Sequence, residues 1–249
     1  MTTILKLGGS VITDKDRREA LDGPALDRAA DAVADALAGD LSDLVIVHGG
    51  GSFGHHHASE HGVSKTNGSG DAAAAVEIHG AMKTLSDFVL ARLHDRDVPA
   101  VPVHPFSAAF RGGEADLRLV TEQVETMLGE EFVPVLHGDV VAHEDEGVTI
   151  LSGDEVVTAV AEGIDAERVG FCSTVPGVLD DGDDVIPEIE SYDEVADYLG
   201  ASDATDVTGG MAGKVRVLLD LGAPATIFGP DDLRDFLAGE SPGTRIDGR

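Results

Sequence analysis

The sequence predicts an α/β fold with a mainly parallel sheet covered by helices on both faces. Three observations carry that expectation. Short apolar runs such as "TILKL" and "LVIV" alternate with longer helical patterns, the signature of successive β-α-β units. Glycine clusters follow several of these runs, after "ILKL", "VIVH" and "TILS", and so mark carboxyl ends of strands, where open sheets bind ligands. The chain has 249 residues, enough to bury a sizeable core.

In chain order, "TILKLGG" (Thr3–Gly9) reads as a strand running into glycines. "GPALDRAADAVADALAG" reads as a helix, with Pro24 suited to the first turn and Gly39 to the stop. "DLVIVHGGG" is a second strand, and a long helical stretch covers roughly residues 70–97. "VPAVPVH" is a short strand, "GGEADLRLV" a hairpin or loop, "TEQVETMLGE" a helix and "FVPVLHGDVV" a strand followed by a turn. "VTILSGDEVVTAVAEGI" is a strand entering a helix, and "ERVGFCSTVPGV" another strand. "GKVRVLLDLGA" is a helix, "PATIFG" a strand and "PDDLRDFLAG" a short last helix.

Lys and Arg number 17 against 47 Asp and Glu, a formal charge of −30. The acids interleave with regular apolar runs, which describes a folded domain with an acidic surface rather than a disordered chain. Such a surface fits a high-salt cytoplasm, where screening relieves the self-repulsion. It excludes non-specific nucleic-acid binding. One cysteine, Cys172, allows no intramolecular disulfide and no cysteine-based zinc site. No 18-residue apolar stretch and no basic, then apolar, leader appear, so a cytoplasmic protein without a membrane partner is expected.

An anionic ligand must be held locally against this field, so the five lysines are informative: Lys6, Lys15, Lys65, Lys83 and Lys214. "KLGGS" (Lys6–Ser10) is either an ordinary tight turn or a backbone cradle for phosphate. "HGGGSFGH" (His48–His55) leads from a strand to a helix, where N–H groups receive anions; a flexible loop is the alternative. It is neither a G-x-G-x-x-G fingerprint nor a P-loop, since no Lys-Ser or Lys-Thr follows. "TGGMAGK" (Thr208–Lys214) places Lys214 in a first helical turn, where the macrodipole disfavours it unless a phosphate binds there; a plain helix entry with a surface lysine is the alternative. In "LSGDEV", Asp154 is either a helix N-cap or an anchor for lysines. Lys65 and Lys83 read as solvated.

"ILKLGGSVITDK", "VIVHGGGSFGH", "ILSGDE" and "DVTGGMAGK" together resemble the amino acid kinase superfamily, and within it the isopentenyl phosphate kinases of the archaeal mevalonate route, haloarchaeal type. The resemblance runs from Ile4 to Lys214. It implies a three-layer αβα sandwich, a single domain over 1–249 with an acceptor lobe (1–165) and a nucleotide lobe (166–249). It implies ATP contacts by Lys6, Leu7, Gly8, Gly9, Ser10, Gly51, Thr174, Gly210 and Lys214, and acceptor contacts by Gly50, His55 and Gly153. Lys15 would stabilise the transferring group and Asp154 would organise the lysines, so Lys6, Lys15, His55, Asp154 and Lys214 form the implied catalytic set. ATP and Mg²⁺ are the implied cofactors, a small phosphate-bearing molecule the acceptor, and a homodimer the implied assembly. One departure stands out: "STVPGVL" (Ser173–Leu179) has Thr174 and Pro176 where relatives often carry acids.

The implied chemistry is self-consistent. A phosphomonoester has a second pKa of about 6, so its attacking oxygen is already deprotonated near neutrality and no general base is required. In-line positioning and charge neutralisation suffice. His55 would donate to the acceptor phosphate. An apolar slot for a short tail is offered by Ile78, Met82, Leu85 and Phe88 at helical spacing, at least half of them expected in the core. Competing readings are a fosfomycin-type phosphonate kinase, another superfamily kinase, and a non-catalytic ATP-binding storage or sensor protein. The run His55, His56, His57 and His61 also admits a metal-site reading, though without H-E-x-x-H or a further ligand beyond the run. The expectation is no protein-bound metal, with His56 onward on a helix surface.

Overall fold

A computed structural model describes residues 1–14, 16–113, 116–199 and 210–249. From the N-terminus, β1 (Thr2–Leu7) leads through the one-turn α1 (Gly9–Ile12) to α2 (Gly23–Leu37), β2 (Asp43–His48), α3 (Gly51–Glu60) and α4 (Ala72–His94). Next come β3 (Ala100–Pro102), α5 (Pro105–Ala108), β4 (Ala109–Arg111), β5 (Leu117–Leu119), α6 (Glu122–Gly129) and β6 (Val133–His137). A hairpin of β7 (Asp139–His143) and β8 (Gly147–Leu151) precedes α7 (Gly153–Gly163) and β9 (Arg168–Cys172). The remainder is β10 (Glu188–Ile189), α8 (Ala196–Leu199), α9 (Gly210–Leu219), β11 (Ala225–Phe228), α10 (Leu233–Leu237) and β12 (Thr244–Ile246).

Among the described residues the main sheet has eight strands in the order β10-β12-β11-β9-β1-β2-β6-β3. It is parallel except where β11 meets β12. β1 lies at its heart, with Leu7 opposite His48 of β2 on one side and Cys172 of β9 on the other. The two halves of the chain therefore share one sheet along the β1–β9 seam.

The twofold alternation of a strand sorts the side chains of β1. Ile4 enters a core with Val156 and Val160 of α7 and Val215 of α9. Leu5 and Leu7 face the opposite core, with Leu26 and Val33 of α2 and Leu85 and Val89 of α4. Ile4 and Leu5 are both fully buried, each contributing about 1.5–3 kcal/mol. Lys6 shares the face of Ile4 and points at α7. The expected αβα layering thus follows from one strand buried on both sides.

Helix starts are set locally. Asp22 caps α2 by accepting from the Ala25 N–H at 2.9 Å, with Pro24 in the first turn as expected. Asp71 caps α4 through the Ala73 N–H, also at 2.9 Å. At α7 the cap is Ser152, not Asp154: Ser152 Oγ accepts from Glu155 N–H while Glu155 returns the bond to the Ser152 N–H, a reciprocal capping box.

A second sheet, β5-β4-β7-β8, stands apart from the first. The sequence pattern places "VTIL" among the parallel strands, but this segment is β8, antiparallel to β7. The connections decide the matter. β6 and β7 are separated by Gly138 alone, and β7 and β8 by a three-residue turn with Asp145 at φ +70°. A parallel crossover needs a dozen residues or more. β12, only three residues long, escapes a periodicity reading altogether.

Candidate active site

A cleft of about 720 Å³ opens at the carboxyl ends of β1, β2 and β9. Its floor is two interleaved glycine loops. The Gly8 N–H donates to Cys172 O at 2.9 Å, and the Gly49 N–H donates to Leu7 O at 3.0 Å. A Cβ on Gly9 would stand 2.2 Å from Gly51 N. Gly51 itself has φ +48°, and a Cβ there would meet Thr13 Oγ1 at 2.1 Å. The glycines permit backbone-to-backbone contact that no side chain allows. "KLGGS" is therefore half of a paired loop rather than an isolated turn, and "HGGG" is packed in place rather than loose.

Positive charge gathers on one wall. Lys6 Nζ bonds the Asp154 carboxylate, which sits at the second position of α7. Lys6 and Lys214 both approach the ring of Phe171 on β9, at 5.6 and 5.8 Å from its centroid. Burial works to raise the pKa of Asp154, but the charges of Lys6, Lys214 and Lys65 and the Lys6 hydrogen bond outweigh it and hold the carboxyl below its ordinary value. Asp154 thus stays ionised beside Lys6, and the cap of α7 is Ser152 instead. Glu155, one residue on, is likewise held low: burial is outweighed by Lys65, the Ser152 N–H and Arg111.

The opposite wall is largely apolar. His55 is exposed and lines the cleft with Gly54, Ala58, Ile78 and Met82. It is the fifth residue of α3, in the second turn, because the helix begins at Gly51. A Cβ on Gly54 would come within 2.7 Å of Met82 Sδ, so α3 and α4 touch there. Of the four candidate slot residues, Ile78 and Met82 line the cleft. Leu85 is in the core, and Phe88 packs edge-on against Phe53 with 39% of its surface exposed.

Lys6, Gly8, Gly9, Ser10, Gly50, Gly51, His55, Gly153, Asp154, Thr174 and Lys214 all border this one cleft. Leu7 does not, because strand alternation turns its side chain into the core. Gly210, at φ +57°, starts α9, and Lys214 is the fifth residue of that helix, in its second turn rather than its first. Lys15, Thr208 and Gly209 lie outside the described residues. Lys65 is not a plain solvated lysine: it lines the cleft and lies 3.3 Å from Glu155. Its signal in the sequence was the scarcity of lysine. Gly138 and Asp139, also at the cleft, carried no motif.

The histidine run diverges. His57 bonds Glu19 at 2.5 Å, His61 bonds Glu77 at 2.7 Å, and His56 faces Glu60 at 3.4 Å. Among the described residues no three His, Cys, Asp or Glu gather as metal ligands. His57 is buried, contrary to the surface expected of the residues after His55.

Comparison with known proteins adds an independent line. The family model of the amino acid kinase family matches residues 1–223. An isopentenyl phosphate kinase of Haloferax volcanii is 59% identical over 98% of both chains. One of Methanocaldococcus jannaschii is 32% identical over 99% of both. A solved structure described as isopentenyl phosphate kinase superposes with a TM-score of 0.84 at 30% identity, covering 99% of this chain and 100% of that one.

Proposed function

This chain belongs to the amino acid kinase family, and from that premise we propose that it transfers the γ-phosphoryl group of ATP to isopentenyl phosphate, forming isopentenyl diphosphate. The observation that carries the reading is the shared cleft. It sets His55 beside an apolar wall and, in the same space, the Lys6–Asp154 pair, Lys214 and two backbone cradles. A phosphate with a short hydrocarbon tail suits the first region and a polyphosphate the second. The relatives named above carry the same activity in their names.

In this reading the floor loops and Gly210 present N–H groups to the nucleotide's phosphates. Lys6 and Lys214 neutralise charge as it shifts during transfer, and Asp154 holds their positions. His55 and the amides of Gly50 and Gly153 hold the acceptor's phosphate. Lys15 stabilises the transferring group, and Thr174 meets the nucleotide. The acceptor half is residues 1–165 and the nucleotide half 166–249. No proton need be removed, because the acceptor oxygen is already ionised. Asp154 is engaged by Lys6, and Asp139 by His79 at 2.9 Å and the Val140 N–H at 2.8 Å. These described cleft carboxylates do not fit the role of Mg²⁺ ligands, so the nucleotide's own phosphates would hold the ion. A homodimer and a cytoplasmic location belong to the same proposal, and light scattering tests the first.

The deciding experiment supplies Mg-ATP in high salt with isopentenyl phosphate, dimethylallyl phosphate, fosfomycin, acetylglutamate, UMP and carbamate in turn. ADP release with isopentenyl phosphate is expected. Release confined to acetylglutamate, UMP or carbamate overturns the reading, and preference for fosfomycin replaces it with a phosphonate kinase.

A further inference from the structure

Lys65 stands in the loop between α3, which carries His55, and α4, which carries Ile78 and Met82. The loop is fastened to β8 on both sides of it. Ser64 O accepts from the Ile150 N–H at 3.0 Å, and Ser69 exchanges two bonds of 2.9 Å with Val148. Ser64 Oγ also accepts from the N–H groups of Thr66 and Asn67, which shapes the turn around Lys65. The backbone on both sides of this lysine is held, and its side chain is a flexible four-carbon stem.

Its partner is bonded on both oxygens by other groups as well. Glu155 Oε1 accepts from Arg111 at 2.7 Å, and Oε2 accepts from Ser152 N–H at 2.9 Å and Ser152 Oγ at 2.8 Å. The Lys65 contact, at 3.3 Å, is the longest of the set and falls on an oxygen already bonded twice. Lys65 is 28% exposed and borders the cleft. In a chain of charge −30 with five lysines, placing one here runs against composition. It makes sense where an anion must be captured against the overall field.

We propose that Lys65 is a further binding residue for the acceptor's phosphate, leaving Glu155 and turning into the cleft when the acceptor arrives; this rests on the phosphate-acceptor reading above. The three donors of its ammonium group supply charge-assisted bonds from the wall that His55 shares. Glu155 keeps Arg111 and Ser152 when Lys65 departs, so the capping box of α7 survives the exchange.

Calorimetric titration in molar KCl tests this with two probes, isopentenyl phosphate and a non-hydrolysable ATP analogue. Lys65→Met is expected to weaken isopentenyl phosphate binding about tenfold, with nucleotide affinity unchanged and Lys65→Arg recovering most of the loss. Unaltered isopentenyl phosphate affinity in Lys65→Met overturns the inference alone, as does equal weakening of both probes, which marks a structural ion pair. Lys65→Gln, which retains a donor for Glu155 without the charge, repeats the test if the methionine variant melts early. Failure of the unmodified protein to bind isopentenyl phosphate overturns the functional reading and the inference together.

Discussion

His57 Nε2 lies 2.5 Å from Glu19 Oε1, tying helix α3 to the turn that follows α1. The tie is reinforced by Ser52, whose Oγ bonds both the Ala20 N–H and the Ala20 carbonyl. Glu19 sits at φ +48°, a left-handed conformation that such contacts hold in place. Two consecutive histidines, His56 and His57, thus have different lives: one 40% exposed on the helix surface, one 9% exposed at a junction.

His57→Ala is therefore expected to cost about 1–3 kcal/mol, and His56→Ala less than about 0.5 kcal/mol. Denaturant midpoints at one salt concentration measure both. Equal midpoints for the two variants would show that the junction carries no stability.

Asp154→Asn removes the charge that stands between Lys6, Lys214 and Lys65. Turnover is expected to fall about 100-fold with the fold retained, since preorganised electrostatics carries the reaction. The pairing also has a pH signature. The folded pKa lies below the ordinary 3.8, so the stabilisation is complete above that value and disappears as pH falls through the lowered one. The variant should lose stability at neutral pH and match the parent in strong acid; a difference that persists there contradicts the assignment.

Gly9→Ala would force a methyl against Gly51 N, 2.2 Å away, with backbone on both sides and nothing able to yield. It should destabilise by more than about 2 kcal/mol and abolish nucleotide binding. Gly80→Ala is the contrast. It lies inside α4 with no atom beyond its own helix backbone within 4 Å of the added Cβ, and should stabilise by about 0.5–1 kcal/mol. Thermal melts of the pair read out both signs.

His48 and His137 face each other across β2 and β6, fully buried, with ring centroids 5.3 Å apart. Desolvation, with the Gly49 carbonyl opposing it and His104 assisting, lowers His48 to about 4. Desolvation, with His48 next, lowers His137 to about 3. Both are neutral in the folded protein and protonate more readily when unfolded, so stability declines as pH falls below 6.5 and continues to decline toward the folded values. Each should contribute about 2 kcal/mol of that loss by about pH 5. NMR titration showing either ring protonating near 6.5 would contradict it.

With a net charge of −30, the fold should depend on salt. Circular dichroism is expected to report native structure in molar KCl and loss of it at about 0.1 M, where repulsion between surface charges still reaches to about 10 Å. Full stability in dilute buffer would show that the core alone outweighs the repulsion.

The αβα order, the strand ends and the glycine loops of the cleft were legible in the sequence, because they depend on local rules. Alternation of short apolar runs with helical periods announces parallel β-α-β units. Gly8–Gly9 and Gly49–Gly51 stand out because successive glycines are costly unless a backbone must come close. The role of "KLGGS" was not legible, since its partner loop lies forty residues away. Nor was that of Lys65, whose neighbour Glu155 is ninety residues distant, or of His57, whose surroundings include the turn after α1.

By itself, then, the sequence determined the type of most of the longer elements, the acidic surface and the scarcity of cations that made each lysine informative. Tertiary structure alone decided that β8 leaves the parallel sheet, that Leu7 turns into the core while Lys6 meets Asp154, and that Ser152 rather than Asp154 caps α7. The reason is physical. Periodicity and propensity act over a few residues, whereas a side chain's exposure, charge state and partners depend on what the folded chain brings within a few ångströms of it.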